Sequence, residues 1–528
     1  MADKVYTLAQ VKTHNTPEDA WVIIEGKIYN VTKFGRVHPG GSKMLLDLAG
    51  QDVTKNFNYF HAKRVLDKYH KKLYVGDLHE YREKMSRRAE KRGLYGQPKP
   101  DLFGELVPYG DPTWYQGWKS PYYNDSHRRF REASRKFIEE EVKPNISKWV
   151  ENQEIPMSLS KHMASLGFYQ TGIKGVWFTE YFGDVIPGGV KPEEWNWHHY
   201  LAGLCETTRV GTLSIVWGVY GGLGIGLPPV LNFGSQYLKD QIVADCAHAR
   251  KYIALAVTEP WAGSDVGNIQ TTARKSEDGK YYIVNGAKKW ITGGLWADYF
   301  TSAVRTGGPG MKGISMMAIP RDLPGVTVKK MKCQGMWASG TSYIVFEDVK
   351  VPAEYLIGKE GKGFKYIMSN FNTERFAIVG QALGSARCAY EEAFKYANKR
   401  RTFGKKLIDH AVIRNKLGHM IRQIEGLQNW AEQIAEQLNT LSDIEKMLLG
   451  GPIGLCKAHA TTVYEFCARE ALQIFGGNGY TRGGQGEKVE RLYRDVRGVA
   501  IPGGSEEIML DLAMRQAQQF MPSTAKLQ

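Results

Sequence analysis

The hydrophobic period of the chain switches from helical to alternating and back to helical, and few folds accommodate that order. From about residue 120 to 250 apolar residues recur at helical spacing, among them Phe130, Phe137, Ile138 and Trp149. From 251 to about 355 strand patterns and turn dipeptides dominate, including Gly325-Val326-Thr327-Val328 and Tyr343-Ile344-Val345-Phe346. Beyond Gly363 the helical period returns, and Phe364, Ile367, Met368, Phe371, Ile378, Val379, Ala382 and Leu383 form one stripe. Ahead of all this, residues 5 to 79 read as a compact unit in which Trp21 to Val31 is two short strands broken at Glu25-Gly26. The pattern predicts a multidomain α+β protein: a small α+β unit at 1–80, a linker at 81–119, helices at 120–250, a β domain at 251–355 and helices again at 356–528.

Within the β region, Tyr252 to Ala256 reads as a buried strand. It leads into Val257-Thr258-Glu259-Pro260-Trp261-Ala262-Gly263-Ser264-Asp265. Thr258 and Ser264 place hydroxyls at the strand's exit, and Pro260 and Gly263 force a turn there. Such a turn presents backbone N–H groups and short hydroxyls to whatever lies against the sheet edge, although by turn statistics alone it is an ordinary loop. A second strand, Tyr281 to Ala287, follows the turn Glu277-Asp278-Gly279-Lys280 and ends in Lys288-Lys289-Trp290-Ile291-Thr292-Gly293-Gly294. Gly308 to Gly313 matches a Gly-x-Gly-x-x-Gly pattern, but a strand follows it rather than a helix, so it is expected to be a hairpin loop.

Glu374 lies on the apolar stripe beyond Gly363, three residues after Phe371 and four before Ile378, and Arg375 shares that stripe. A carboxylate on a buried face is costly unless it is paired or used. Burial raises its pKa, which suits a base for a weakly acidic C–H. A buried Glu–Arg structural pair fits the same pattern.

Other features narrow the class. The net charge of +15 favours anionic partners such as nucleotide-bearing cofactors, acidic proteins or a lipid surface. The basic residues are dispersed rather than gathered into an aromatic-interleaved block, which argues against nucleic acid. The six cysteines (Cys205, Cys246, Cys333, Cys388, Cys456 and Cys467) form no Cys-x-x-Cys pair and read as reduced thiols of an intracellular, soluble protein. No charge occurs between Arg209 and Lys239, but six glycines and Pro228-Pro229 within 211–231 predict a buried helix plus a turn there, and no transmembrane segment. The amino terminus shows no apolar run after Met1 to Lys4, and no secretory signal is expected. Ala525-Lys526-Leu527 resembles a peroxisomal address but is followed by Gln528, so the compartment (cytoplasmic, peroxisomal or mitochondrial) stays open. The basic run Arg82 to Arg92 and the prolines after it read as a solvated helix and an extended tether, or as a docking contact. Trp195, Trp197, His198 and His199 lack ligand neighbours at metal spacing and are assigned to packing.

In the amino-terminal unit, His38-Pro39-Gly40-Gly41 and His61 place two imidazoles at helix ends, where they could hold a heme iron from its two sides. From Tyr6-Thr7-Leu8 to Tyr74-Val75-Gly76-Asp77-Leu78 the unit resembles the cytochrome b5 family. Its His-Pro-Gly-Gly motif supplies one axial ligand, His38 here, with His61 where the second is expected; the resemblance implies heme b. His70, on the basic stretch Lys68 to Lys72, is expected on a solvated face.

The two β segments resemble the flavin-binding strands of the acyl-CoA dehydrogenase family, which read Thr-Glu-Pro-x-Ala-Gly-Ser-Asp and Trp-Ile-Thr. The likeness spans roughly 120 to 520. It implies an all-α domain, a β-barrel-like domain and a four-helix-bundle domain, with FAD as cofactor, an acyl-CoA substrate and a homo-oligomer, dimer or tetramer. Contacts to FAD are implied at Val257, Thr258, Gly263, Ser264, Trp290, Ile291, Thr292 and Ser505. Arg400, Thr402, Phe403 and His410, with Gln473, Gly476 and Gly477, match motifs that hold the ADP half, commonly across a subunit interface. Ser264, Asn372 and Arg375 are implied at the substrate. Many members carry their base in a loop ending Glu-Gly-Thr or Glu-Gly-Ser, where this chain has Ile501-Pro502-Gly503-Gly504-Ser505 and Gly503 takes the glutamate's place. The isovaleryl-CoA and long-chain members place it on the long helix just before an arginine, which Glu374-Arg375 matches, with Glu506 or Glu507 as the alternative. Trp261, Ala411 and Glu507 depart from common family residues.

The expected activity is therefore FAD-dependent α,β-dehydrogenation of an acyl-CoA to a 2-enoyl-CoA, with electrons passed to the fused heme; a redox partner protein is a further expected partner. Two other readings are an acyl-CoA oxidase using oxygen, and a heme–flavin electron-transfer protein in which Glu374 is only a structural partner of Arg375.

Overall fold

In the computed structural model the described residues are 4–521, except 36, 62 and 91–101. The proline-rich start of the linker and the Ala525-Lys526-Leu527 tripeptide lie outside them. Two units form, one from residues up to 106 with 115–118 and 481–487, the other from the remainder.

The first unit is built on a five-stranded sheet in the order β1 (Val5–Tyr6), β5 (Tyr74–Leu78), β4 (Lys27–Asn30), β3 (Asp19–Ile24), β2 (Asn15–Thr16). Glu25 and Gly26, both at positive φ, close the β3–β4 hairpin as a two-residue turn. Strand alternation splits the core in two. Val22 and Ile24 pack with Tyr29, Ala49 and Val53, whereas Ile23 packs with Val11, Ile28 and Leu78. His70, expected on a solvated face, is half-buried instead, with Nδ1 3.2 Å from the Tyr29 hydroxyl. The lysines at 71 and 72 take the wet side of that helix. The basic run after it is helical through Glu90, and Arg82 is paired to Asp77.

The second unit opens with helices Asp125–Phe137 and Trp197–Thr208, whose first turns are capped by the side chains of Asn124 and Asn196. His198 and His199 are buried, against Glu436 and Ser126, in agreement with a packing role. The uncharged stretch is not a helix plus a turn. A π-helical segment, Val216–Gly221, runs straight into Gly222–Phe233, and Pro228 and Pro229 lie inside the helix. Pro229 offers no N–H to the carbonyl of Ile225, and Asn370 Nδ2 supplies that donor at 3.0 Å. A helix with its freed carbonyl satisfied has no need to turn. Among the described residues no helix is long and apolar enough to cross a membrane.

The middle region is one sheet, in the order β11 (Val326–Lys330), β12 (Ser342–Pro352), β8 (Tyr281–Ile291), β7 (Thr272–Lys275), β9 (Tyr299–Arg305), β10 (Ile314–Pro320), β13 (Leu356–Ile357), with β6 (Ile253–Ala256) on β9. The barrel-like expectation gives way to an open sheet, since β11 and β13 lie at opposite ends of the strand path. Residues 308–313 form the β9–β10 hairpin connection, as expected. Four helices then pack together: Gly363–Lys399, Ala411–Thr440, Gly450–Phe475 and Glu506–Gln519.

Candidate active site

The helix Gly363–Lys399 places Glu374 at the wall of a cavity of about 420 Å³, part of it continuous with solvent. Leu204, Val216, Trp217, Ile225 and Ile378 make the walls mainly apolar. Glu374 is 7% exposed, and its Oε2 is buried with no hydrogen-bond partner. Burial pushes its carboxyl up to about 7, against the opposing pull of the Arg375 and Lys457 charges. Arg375, its neighbour in sequence, is turned elsewhere. Its Nε donates to the carbonyl of Gly503 at 2.8 Å and its Nη1 to Oδ1 of Asn372 at 3.4 Å. The two do not form the structural pair that the stripe also allowed.

The loop over this carboxylate is gripped from a second side. Lys457, fully buried on the helix Gly450–Phe475, donates to the carbonyls of Ala500 and Gly504, each at 2.7 Å. Its position on an apolar face, four after Ile453 and three before Ala460, is a signal the sequence reading did not take up. At Gly503 a Cβ would lie 3.8 Å from Glu374 Oε1, so this position does face the same space. Glu506 and Glu507 are exposed in the first turn of their helix, away from it.

A second edge of the site comes from the sheet. Thr258 follows β6 and its carbonyl accepts from Lys289 N at 2.9 Å, tying the turn to β8. Below it Glu259 and Lys288, both fully buried, pair at 2.8 Å. Glu259 also accepts from the backbone of Gln270 and Thr271 and from Trp261 Nε1. This buried pair, also not picked out in the sequence, fixes the shape of the turn. A register shift between β12 and β8 puts Trp290 at φ 60°, a conformation costly for a bulky residue, and leaves its ring half exposed. Val257 and Ile291 are buried, Thr258 and Thr292 half-buried, and Gly263 and Ser264 exposed; a Cβ at Gly263 would meet nothing within 4 Å. A Cβ at Gly221, a cavity-lining residue, would lie 2.9 Å from Thr292 Cγ2, so the threonine edge adjoins the Glu374 cavity. An exposed aromatic plane, two hydroxyls and open backbone beside an apolar cavity fit a flavin ring.

The remaining flavin candidates gather elsewhere. Arg400 caps the far end of the long helix, and Arg401–Thr402 and Lys405–Lys406 form a hairpin with Phe403 and Gly404 at its tip. Phe403 is 96% exposed, and Thr402 Oγ1 lies 3.2 Å from His410 Nε2. Gln473, Gly476 and Gly477 are exposed at the same end, where Phe475 stacks on Tyr396 at 4.1 Å and Asn478 donates to the Tyr396 hydroxyl. Along the helix this end is about 38 Å from Glu374, at about 1.5 Å per residue. Ser505 is half-buried at the start of the helix Glu506–Gln519.

In the first unit, His38 and His61 face one another with ring centres 5.9 Å apart. Phe57 stacks on His61 at 5.0 Å, Phe34 meets His38 edge-on, and His61 Nδ1 is buried without a partner. Val37 and Met44 are exposed near the His38 turn, and Tyr59 and Phe60 just before His61. Two opposed imidazoles with bare apolar side chains around them fit a heme.

Comparison with known proteins places these two arrangements. The cytochrome b5-like heme/steroid binding domain matches residues 7–79. The acyl-CoA dehydrogenase N-terminal, middle and C-terminal domains match 124–250, 254–349 and 361–518. The acyl-CoA dehydrogenase apdG of Emericella nidulans is 41% identical over 427 residues, covering 80% of this chain and 97% of its own. Butyryl-CoA dehydrogenase from Megasphaera elsdenii superposes with a TM-score of 0.68 at 29% identity, covering 76% of this chain and all of its own. An acyl-CoA dehydrogenase complexed with FAD from Bacillus anthracis does so at 0.67 and 26% identity, over 78% of this chain and 72% of its own. The chain belongs to the acyl-CoA dehydrogenase family, a flavoprotein oxidoreductase acting on CH–CH groups, and carries a cytochrome b5-like heme-binding domain ahead of it.

Proposed function

We propose that Glu374 is the base that removes the α-proton of an acyl-CoA thioester, and that the electrons of the reaction pass on to a heme held by His38 and His61. The observation that carries this is the buried, unpartnered carboxylate on the wall of an apolar cavity. A carboxyl near 7 is half ionised at neutral pH and well matched to a proton that thioester activation has made weakly acidic. FAD, when bound, supplies the acceptor for the β-hydride, and heme a one-electron carrier.

The chain's own residues orient and enclose. Thr258, Trp290 and Thr292 flank the flavin ring beside the cavity, with Val257, Gly263, Ser264, Ile291 and Ser505 completing its surroundings. Arg375 and Lys457 hold the 500–504 loop over Glu374 and keep water from its carboxylate. Asn372 steadies Arg375, and Ser264 is left exposed for the CoA portion. The distance from Glu374 to Arg400, Thr402, Phe403, His410, Gln473, Gly476 and Gly477 supports a homo-oligomer in which those residues serve a flavin of the partner subunit. Five buried, free thiols support an intracellular protein.

The test is anaerobic mixing of holoprotein with a panel of acyl-CoAs, following flavin and heme absorbance together. Flavin bleaching followed by heme reduction is expected. Bleaching without heme reduction removes the relay, and peroxide release in air marks an oxidase. No response to any acyl-CoA removes the whole assignment.

A further inference from the structure

The cavity beside Glu374 does not end at Tyr220. A second, narrow chamber shares Gly172, Leu204, Val216 and Tyr220 with it. The Tyr220 ring lies so close to Gly172 that a Cβ there would sit 2.1 Å from its Cδ1, so the ring is the partition between the two spaces. Its hydroxyl donates to the carbonyl of Phe168 at 3.3 Å and also lies within hydrogen-bond reach of the Thr171 and Thr207 side chains.

The second chamber has aromatic walls. Phe130, Phe137 and Phe168 line it, the last two stacked at 4.5 Å. Besides Tyr220, three hydroxyl side chains line it: Ser134, Thr171 and Thr207. The threonines give their protons to backbone carbonyls, Thr171 to Phe168 at 2.6 Å and Thr207 to Gly203 at 2.8 Å; their oxygens also meet the Tyr220 hydroxyl, whose single proton leaves lone pairs over to accept. Ser134 is 5% exposed and its Oγ has no partner. A helical serine ordinarily bonds back to its own helix or reaches water, and a buried hydroxyl that does neither is an unmet donor.

One donor and several acceptors in an aromatic box match a guest hydroxyl, which accepts once and donates once. A carbonyl would use Ser134 alone, and a plain alkyl end would use neither. We propose that the natural substrate is an acyl thioester whose chain passes Tyr220 into the second chamber and there carries a hydroxyl, bound by Ser134 and by the threonine oxygens. This rests on the acyl-CoA reading above and extends it to the substrate class.

The experiment uses holoprotein and a series of saturated straight-chain acyl-CoAs, short to long, each paired with its ω-hydroxy counterpart. The efficiency of anaerobic flavin reduction is measured for every pair. Among the longer members the hydroxylated partner is expected to win by about tenfold, the size of one net hydrogen bond, with no such preference among the short ones. In Ser134→Ala the ratio within the longer pairs falls to about one, and in Thr207→Val it falls part of the way. A ratio within one preparation does not depend on how much of a variant folds. Plain long chains equal to or better than hydroxylated ones in the wild type overturn the proposal while leaving the dehydrogenase reading intact, as does a preference that survives Ser134→Ala. Failure of every acyl-CoA to bleach the flavin removes both.

Discussion

Lys457 holds the carbonyl of Gly504 at 2.7 Å, and from the same buried position its charge lowers the carboxyl of Glu374 against the effect of burial. The lysine thus sets both where the loop lies and how readily the base gives up its proton. Its own pKa is pressed down by burial to about 8, so it stays largely protonated at neutral pH.

The efficiency of flavin reduction by acyl-CoA is therefore expected to rise with pH along a limb near 7, the pH at which Glu374 ionises. Replacing Lys457 by Met removes a favourable charge and moves that limb up by about one unit. A limb that stays put or moves down shows that Lys457 acts on the loop alone.

Glu374→Gln is expected to lower flavin reduction by about 10²–10⁴-fold with FAD content retained. The same variant reports through stability. A carboxyl at about 7 in the fold and near 4.5 when unfolded keeps its proton longer in the folded state. That contribution favours folding below the unfolded value and is lost as pH climbs through about 7. The glutamine variant should therefore exceed the wild type by about 3 kcal/mol at pH 8, in urea titrations, with the difference closing below pH 4.5. Equal stability at both ends means the carboxyl is not buried in solution.

The Glu374 side of the site was legible because helical period is local: Phe371 three residues before and Ile378 four residues after put the carboxylate on an apolar stripe. The domain order was legible for the same reason. What stayed hidden depends on partners distant in sequence. Pro228-Pro229 read as a turn because the donor that rescues the helix, Asn370, comes from another helix far along the chain. The exposed, left-handed Trp290 arises from its register against β12, which no reading of β8 alone contains. Lys288 and Glu259 look like ordinary charges in sequence, and only the fold of the sheet shuts water out from both.

That pair gives a third expectation. Lys288→Met strands a carboxylate at a fully buried site and should lower stability by about 3–5 kcal/mol, with loss of bound FAD as the 257–262 turn relaxes. Replacing Glu259 by Gln in the same chain removes the stranded charge and should recover most of the stability. Chemical denaturation of the two variants, with flavin-to-protein ratios, decides it; equal losses in the single and the double variant refute the charge argument.

Gly503 offers a test of where a base can stand. A Cβ there would lie 3.8 Å from Glu374 Oε1, so a carboxylate grown from 503 enters the same space. Glu374→Gly combined with Gly503→Glu should regain part of the flavin reduction that Glu374→Gly loses. The gain stays partial because φ at 503 is 69°, which disfavours a side chain by about 1–2 kcal/mol. No gain at any pH would mean that the loop cannot aim the carboxylate.

The heme arrangement makes the last prediction, and it separates two jobs within one chain. His38 and His61 face each other at 5.9 Å, and no other pair of imidazoles in the first unit is so placed among the described residues. Neutral imidazole is a strong iron ligand, and His38 and His61 together would hold the heme. His38→Ala and His61→Ala should each lower the heme content and change its absorbance. FAD content and flavin bleaching by acyl-CoA should persist in both, because the Glu374 cavity is built wholly from the second unit. Reoxidation of the flavin in the absence of oxygen should then slow or stop, as the internal acceptor is gone. Unchanged reoxidation in either variant shows that the electrons leave the flavin by another route.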